Sequence, residues 1–221
     1  MALTDQQAPA VELADSATGP HLSLRMDVTS RTEVDEGLES VAEQLGGLDV
    51  LVTIAGGDMH HPPFEDCGDE VWTAMLDLNL LGVVRCCRAA LPHLRRSTAG
   101  PAVVTISSVN ALTALGSEPY SSAKAGLTAL TLNLAAQLGP AGVRVNAIAP
   151  ATIRTAVWDT QPGGADQMRP LYPLGRVGEP ADVAAVVAFL ASDDAAWVSG
   201  HILPVDGGLL TSSGRLGAPL G

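Results

Sequence analysis

The chain has 221 residues, a formal net charge of −12 and a sequence pI near 4.6. An acidic chain with scattered arginines argues against nucleic acid and anionic membrane surfaces as partners. The first residues lack the charged and apolar parts of a signal peptide, and no apolar run reaches membrane-spanning length. The three cysteines lack Cys-x-x-Cys spacing, which is typical of reduced thiols, so we expect a cytoplasmic protein.

Apolar runs and helical patterns alternate along the chain. Strands are predicted at Leu22–Met26, Leu48–Ile54, Ala102–Ser107, Val143–Ile148 and His201–Val205. Helices are predicted at Arg31–Leu45, Asp69–Arg96, Tyr120–Leu138 and Pro180–Ala191, with breaks in the second near Asn79 and Pro92. Such alternation predicts an α/β fold with a doubly wound parallel sheet, in a single domain over residues 1–221.

The sole lysine, Lys124, lies four residues after Tyr120, one of only two tyrosines. At this spacing the two side chains share one face of the predicted helix. An ammonium held near a phenol favours the phenolate, and a group with a reference pKa of about 10 can then act as an acid or base near neutrality. The pair therefore predicts a proton-transfer site.

Two more polar residues accompany this pair. Ser108 ends the apolar run of residues 102–108, which would place its hydroxyl at the carboxyl edge of the sheet, where open α/β sheets bind ligands. Asn79 is a polar residue set in an apolar helical pattern. The candidate catalytic residues are thus Asn79, Ser108, Tyr120 and Lys124.

This Asn…Ser…Tyr-x-x-x-Lys set resembles that of the classical short-chain dehydrogenase/reductases. Other stretches match the family in the same order, over about residues 22–210. They are Asp27-Val28, Ala55-Gly56, Val-Asn-Ala-Ile-Ala-Pro at 145–150, Gly-Arg-Val-Gly-Glu-Pro at 175–180 and Val-Asp-Gly-Gly at 205–208. The resemblance implies a Rossmann-like, NAD(P)-linked oxidoreductase that interconverts a secondary alcohol and a ketone.

The resemblance also implies a role for each candidate. Tyr120 would donate or accept the proton at the substrate oxygen, and Ser108 would hydrogen bond that oxygen. Lys124 would lower the pKa of Tyr120 and hold ribose hydroxyls, and Asn79 would position a water linked to Lys124. The hydride chemistry belongs to the cofactor.

A cofactor site is implied by the same matches. Asp27 would contact the adenine, and Ile153 and Thr155 the nicotinamide carboxamide. An acidic Asp5 at the end of a strand suits a ribose 2′-hydroxyl and repels a 2′-phosphate, which favours NAD over NADP. The full cofactor-binding set is Asp5, Asp27, Val28, Ala55, Gly56, Tyr120, Lys124, Pro150, Ile153 and Thr155.

Three departures from the family pattern matter. The family opens with a strand, a Gly-x-x-x-Gly-x-Gly turn and a helix that receives the cofactor pyrophosphate, but residues 1–45 contain only Gly19 and Gly37. Residues 1–5 match the end of the family's second strand, so we expect the first strand and helix to be missing and a slot to remain beside residues 48–54.

Thr53-Ile54 replaces an Asn-Asn pair of the family, although the threonine hydroxyl could replace one of the hydrogen bonds that the asparagine amides make. Ala151 replaces a usual glycine, which is tolerable unless the backbone there needs a positive φ.

Two alternative functions stay open. A Ser/Tyr/Lys site without a cofactor could enolise, dehydrate or cyclise a carbonyl substrate, as a dehydratase, cyclase or isomerase does. A non-catalytic partner subunit could keep the oligomer-forming helices alone. The intact Ser108, Tyr120 and Lys124 count against this second alternative.

The remaining expectations concern ligands and partners. His60 and His61 follow a strand, but adjacent histidines point in different directions and no third ligand is evident, so we expect no metal and place them at the rim of the substrate pocket. In the family, the helices that correspond to about residues 80–96 and 120–138 pack against a second subunit, which predicts a homodimer or homotetramer. A fairly apolar small-molecule substrate is suggested by Val109, Leu112, Trp158 and Met168.

Weak cofactor binding follows from the missing glycine-rich turn. Charge-assisted hydrogen bonds are worth roughly 1.5–3 kcal/mol each, so the loss of two would weaken binding roughly 10²–10⁴-fold. We predict that the 221-residue chain binds NAD(H) in the millimolar range or more weakly, as measured by calorimetry. A micromolar dissociation constant would show that other residues hold the phosphates.

Overall fold

The computed structural model describes residues 1–6 and 22–211. The strands are β1 (Ala2–Asp5), β2 (Leu22–Arg25), β3 (Val50–Thr53), β4 (Ala102–Ile106), β5 (Arg144–Pro150) and β6 (Ile202–Val205). The helices are α1 (Arg31–Leu45), α2 (Asp69–Leu76), α3 (Gly82–Leu94), α4 (Glu118–Leu138) and α5 (Pro180–Ala191). A π-helical turn, Asp77–Leu81, joins α2 to α3. The alternation confirms the predicted α/β class.

The strands form two parallel sheets. β1 pairs with β2, and the second sheet has the order β3-β4-β5-β6. Within residues 1–6 and 22–211, no strand pairs with the outer edge of β3. Val50 and Ile54, at the two ends of this strand, are 36% and 69% exposed. The slot expected beside residues 48–54 stays a prediction, since residues 7–21 lie outside the described ranges.

Helices cover both faces of the larger sheet. Successive side chains of a strand point to opposite faces, and on β4 Val103 and Val104 enter two different core clusters. Val103 packs with buried residues of α1, α3 and α4, among them Leu38, Leu94 and Leu127. Val104 packs with Leu190 of α5 and its neighbours. The doubly wound arrangement is therefore confirmed.

Local signals in the sequence set the helix ends. Ser30 caps α1 by accepting a hydrogen bond from the backbone N–H of Glu33 at 3.3 Å, and Gly46 ends the helix with a φ of 78°. α4 begins at Glu118, two residues before the predicted start, because Pro119 suits a first helical turn. The predicted break around Pro92 is wrong. Pro92 lies in the last turn of α3, where a lost hydrogen bond affects only the end of the helix.

Two buried threonines pair across the β3–β4 ladder. Thr53 lies opposite Thr105, and neither hydroxyl has a hydrogen-bond partner among the described residues. The prediction that the Thr53 hydroxyl replaces one bond of the family's asparagine pair is therefore wrong. A buried hydroxyl without a partner costs free energy, so this pair weakens the centre of the fold.

Candidate active site

The carboxyl ends of β3, β4 and β5 lie side by side because these strands are parallel and adjacent. Gly56 and Gly57 follow β3, Ser107 and Ser108 follow β4, and Pro150 ends β5. The sequence predicts this edge as the ligand-binding edge, and the catalytic candidates meet there.

Lys124 joins α4 to the end of β4. Its side chain is buried, with the residue only 3% exposed, and its Nζ donates a hydrogen bond to the carbonyl oxygen of Ile106 at 2.9 Å. The hydroxyl of Ser107 donates in return to the Lys124 carbonyl oxygen at 3.1 Å. Nζ also lies 5.7 Å from the centroid of the Tyr120 ring. The predicted pair is thus assembled on one face of α4.

Ser108 lies against Tyr120 and is held by its own loop. Contact with the Ser108 hydroxyl lowers the pKa of the Tyr120 phenol. The Ser108 hydroxyl donates to Oδ1 of Asn110 at 3.1 Å and accepts from the Asn110 backbone N–H at 3.2 Å. Asn110 therefore orients the predicted catalytic hydroxyl, a role that sequence reasoning missed.

The net pKa shift of Tyr120 is opposite to the predicted one. Burial raises this pKa above its ordinary value, the Ser108 hydrogen bond lowers it, and the nearby charge of Asp58 raises it. Lys124 is itself buried, which lowers its pKa to about 8. The protein's own groups therefore favour a protonated phenol, because burial disfavours the charged phenolate more than contact with Ser108 stabilises it.

Asn79 lies fully buried in the π-helical turn. Its Oδ1 accepts from the Gly57 N–H at 2.9 Å, and its Nδ2 donates to the carbonyl oxygens of Gly57 at 3.0 Å and Met75 at 3.1 Å. The side-chain amide therefore clamps the loop after β3, and the water-positioning role of Asn79 stays a prediction. The predicted irregularity near Asn79 is confirmed, and π-bulges are frequent at functional sites.

Gly56 fits closely between two of these residues. A Cβ at this position would lie 2.7 Å from Oδ1 of Asn79 and 3.1 Å from Nζ of Lys124, and the backbone φ is 152°. A side chain would therefore collide with the site and strain the backbone. Glycine here leaves open space beside the ammonium, in keeping with the predicted close approach of a ligand.

The candidates near β1 and β2 hold the backbone there. Oδ1 of Asp27 accepts from the N–H and the hydroxyl of Thr29, both at 2.8 Å, and these bonds lower its pKa. Oδ2 accepts from the side-chain amide of Gln6 at 3.0 Å. Val28 packs against Gly82 at the start of α3, and Asp5 ends β1. Asp5 lies in the smaller sheet, and Asp27 and Val28 follow its strand β2, whereas Lys124 bonds to the end of β4 in the larger sheet.

The candidates after β5 lie in an extended loop. Ile153 pairs with Gly178, Thr155 is exposed, and the Tyr172 hydroxyl accepts from the backbone N–H of Thr152 at 3.0 Å. Ala151 has no positive φ, so the alanine is tolerable, as predicted.

The four residues predicted to contact an apolar substrate differ in how far they are buried. Val109 is buried, and Trp158 and Met168 pack around Tyr172. Leu112 remains exposed beside the Ser108 loop. Of the four, only Leu112 presents a largely exposed apolar side chain.

A separate cavity of about 510 Å³ opens at the other end of the larger sheet. It is lined by residues that precede β3 or end α1 and α3, such as Asp49, Gly46 and His93. None of the catalytic candidates lines this cavity, so we place the candidate site at the carboxyl end of β4 near Lys124 and not in the cavity.

Within the described part of the chain no helix is long and apolar enough to cross a membrane.

A family model described as "Enoyl-(Acyl carrier protein) reductase" matches residues 1–210. The chain is 35% identical over 217 residues to meso-2,3-butanediol dehydrogenase of Serratia marcescens, covering 96% of this chain and 85% of the relative. The chain belongs to the short-chain dehydrogenase/reductase family. It is therefore an oxidoreductase, and the Rossmann-type fold predicted from the sequence is confirmed.

Solved structures support the same assignment. Carveol dehydrogenase from Mycobacterium avium in complex with NAD has a TM-score of 0.83 and 29% identity, over 95% of this chain and 88% of that one. ElxO with NADP bound has a TM-score of 0.80 and 30% identity, over 86% of this chain and 79% of that one. This chain is similar to proteins that bind either nicotinamide cofactor.

The lowered pKa of Lys124 predicts a pH-dependent stability. The native state loses this proton near pH 8, before the unfolded chain does at a pKa of 10.5, so native stability rises between these values. We expect the free energy of unfolding of the wild type, minus that of Lys124→Met, to rise by roughly 2–3 kcal/mol from pH 7 to 11.

Urea unfolding across this pH range provides the measurement. Lys124 is the only lysine, so the difference between the two proteins isolates its titration from that of the tyrosines and cysteines. If the free energies of unfolding of the two proteins differ by the same amount at every pH from 7 to 11, the Lys124 ammonium is not buried.

Proposed function

We propose that the protein interconverts a secondary alcohol and a ketone with a nicotinamide cofactor, and that Tyr120 is the acid or base. The observation that carries this proposal is the convergence of Ser108, Tyr120 and Lys124 at one sheet edge. The closeness of the Ser108 hydroxyl to the phenol supports a shared oxygen-binding position for a substrate. The similar enzyme of Serratia marcescens is a meso-2,3-butanediol dehydrogenase, and both hydroxyl groups of 2,3-butanediol are secondary.

The residues present fit the ribose and nicotinamide end of the cofactor. An ammonium has three N–H donors, and Lys124 directs one of them to Ile106, which leaves donors for ribose hydroxyls. Gly56 keeps the space beside that ammonium clear of side-chain atoms. When bound, the nicotinamide supplies or accepts the hydride.

Each protein group has a distinct part in the proposed reaction. Tyr120 passes the phenol proton to the ketone oxygen, or takes it from the alcohol. Ser108 hydrogen bonds the same oxygen and steadies the charge that develops on it. As an ammonium, Lys124 would stabilise the phenolate form of Tyr120 when the proton is transferred. Asn79 keeps Gly57, and with it the wall of the site, in place.

NAD is the proposed cofactor over NADP. The supporting feature is the carboxylate of Asp5 at the carboxyl end of β1, since an acidic group there disfavours a 2′-phosphate. Solved relatives with NAD and with NADP are both similar to this chain, so the preference depends on Asp5 itself.

Replacement of Tyr120 by phenylalanine tests the proposed role. Tyr120→Phe removes the transferable proton and little else, so turnover should fall on the order of 10²–10⁴-fold. The assay measures nicotinamide reduction at millimolar NAD with a panel of small secondary alcohols that includes 2,3-butanediol. Circular dichroism should show an unchanged fold.

The chain offers a matched control in its other tyrosine. Tyr172→Phe also removes one phenol hydroxyl, which accepts a single backbone hydrogen bond at Thr152. This variant should lose stability yet keep activity within about tenfold of the wild type, because one neutral hydrogen bond is worth about 1 kcal/mol. More than half of the wild-type turnover in Tyr120→Phe would exclude Tyr120 as the acid or base.

We also propose that the protein is a homodimer or homotetramer that associates through α4. Val83 and Leu127, which lie on the two helices expected to contact a second subunit, are buried in the protomer's own core. Other apolar residues supply an exposed face, at helical spacing along α4. They are Ala125, Ala129, Leu132 and Ala136.

A charge on this face tests the assembly. Leu132 is 50% exposed, and Leu132→Asp should reduce the mass measured by light scattering toward the 22.6 kDa of one chain, because association would bury an unpaired carboxylate. Leu174→Asp is the control, since Leu174 is 73% exposed in a loop elsewhere. A wild-type protein that is monomeric at micromolar concentration would refute the proposal.

A further inference from the structure

Ser117 has an unusual backbone conformation next to the catalytic helix. Its φ and ψ are 50° and 69°, and it is the only non-glycine residue with a positive φ in the described ranges 1–6 and 22–211. It directly precedes α4 and lies three residues before Tyr120. A residue with a Cβ is strained in this region, so other contacts must hold it there.

The side chain of Ser117 is directed away from the helix that it precedes. A serine at a helix N-cap normally accepts a hydrogen bond from the first turn, but Ser117 makes no such cap bond. Its hydroxyl instead donates to Oδ1 of Asp58 at 2.6 Å and lies 3.1 Å from Nε2 of His61. We name this contact between α4 and the loop after β3 the Asp58–Ser117–His61 link.

The hydrogen-bond donors and acceptors of the Asp58–Ser117–His61 link follow from the groups themselves. The Ser117 hydroxyl has one hydrogen, which its short bond to the carboxylate of Asp58 uses. Nε2 of His61 must then donate to the Ser117 oxygen. Nδ1 of His61 lies 2.8 Å from the carbonyl oxygen of Pro62, which can only accept. The link therefore runs from the His61 ring through the Ser117 hydroxyl to the carboxylate of Asp58.

The link lies beside contacts that shape the catalytic site. Gly57, adjacent to Asp58, is clamped by Asn79. Gly116, adjacent to Ser117, is bonded through its carbonyl oxygen by Ser121 at 2.6 Å and Asn110 at 3.3 Å. The start of α4 is thus held from the β3 side by Asp58 and from the β4 side by the residue that also orients Ser108.

We propose that Ser117 is a positioning residue for Tyr120, held by Asp58 and His61, in the alcohol–ketone reaction proposed above. The link fixes the first turn of α4 against the loop after β3, and this turn carries the phenol. The carboxylate of Asp58 is also close enough to act on the charge of Tyr120. Asp58 and Ser117 are 59 residues apart in the sequence, so their contact forms only in the folded chain.

The test separates positioning from stability. Ser117→Gly removes the hydroxyl but relieves the strained backbone, since glycine adopts a positive φ freely. The kcat for alcohol oxidation should fall about tenfold, because a small displacement of a catalytic group is costly, while the urea midpoint stays equal or rises. Ser117→Asn should restore most of the activity, because asparagine tolerates this conformation and its amide can donate to Asp58.

A second serine–aspartate pair provides the control. The hydroxyl of Ser97 donates to Oδ1 of Asp49 at 2.5 Å, and this contact also joins two segments, at the opposite end of β3. Ser97→Ala removes a bond of the same kind and should leave kcat within twofold of the wild type.

Asp58→Asn keeps an acceptor and removes the charge, so the pH at which oxidation becomes half-maximal should move downward, since Asp58 raises the pKa of the phenol.

The outcomes are distinguishable. If Ser117→Gly keeps more than half of the wild-type kcat, or loses kcat only in proportion to a lower urea midpoint, Ser117 does not position Tyr120. A shift to higher pH in Asp58→Asn would overturn the part assigned to Asp58. If the wild type shows no turnover, or if Tyr120→Phe remains active, the proposed function fails instead, and the urea midpoints of the Ser117 variants still report on the link.

Discussion

The burial of the Lys124 ammonium against the end of β4 is the constraint on which the site depends. A buried charge needs hydrogen-bond acceptors, and the chain provides the Ile106 carbonyl oxygen at 2.9 Å. This bond sets the distance between α4 and the sheet, and therefore the place where Tyr120 emerges beside Ser108. It also explains why Gly56 must lack a side chain, since any Cβ would occupy the space next to the ammonium.

A rigid frame surrounds this buried charge. Asn79 uses its side-chain oxygen and nitrogen on backbone groups of Gly57 and Met75. The Asn110 side chain accepts from the Ser108 hydroxyl and donates to the Ser121 hydroxyl. Loops that carry functional groups are otherwise the mobile parts of a fold. Here two amide side chains attach those loops to helices, so the hydroxyls of Ser108 and Tyr120 keep their relative positions before any ligand arrives.

The sequence predicts those features that local patterns encode. Ser30 and Gly46 mark the ends of α1, the four-residue spacing brings Tyr120 and Lys124 together, and the polar Asn79 predicts an irregular helix. The family resemblance supplies their roles. Features that arise from tertiary packing could not be predicted from the sequence. The Asp58–Ser117 contact joins residues 59 positions apart, and the upward shift of the Tyr120 pKa depends on how deeply the phenol is buried. Neither the contact nor the depth of burial can be predicted from residues that are neighbours in the sequence.

The exposed edge of β3 has a consequence for how this protein behaves in solution. A parallel strand with one side unpaired presents a row of backbone N–H and C=O groups, and Ile54 adds an exposed apolar side chain at its end. Natural sheets protect such edges with charges, prolines or bulges, and residues 50–54, Val-Leu-Val-Thr-Ile, contain none of these. In the part of the chain that the structure describes, nothing pairs with this edge, so its main-chain groups are those to which a strand from a second chain would bond.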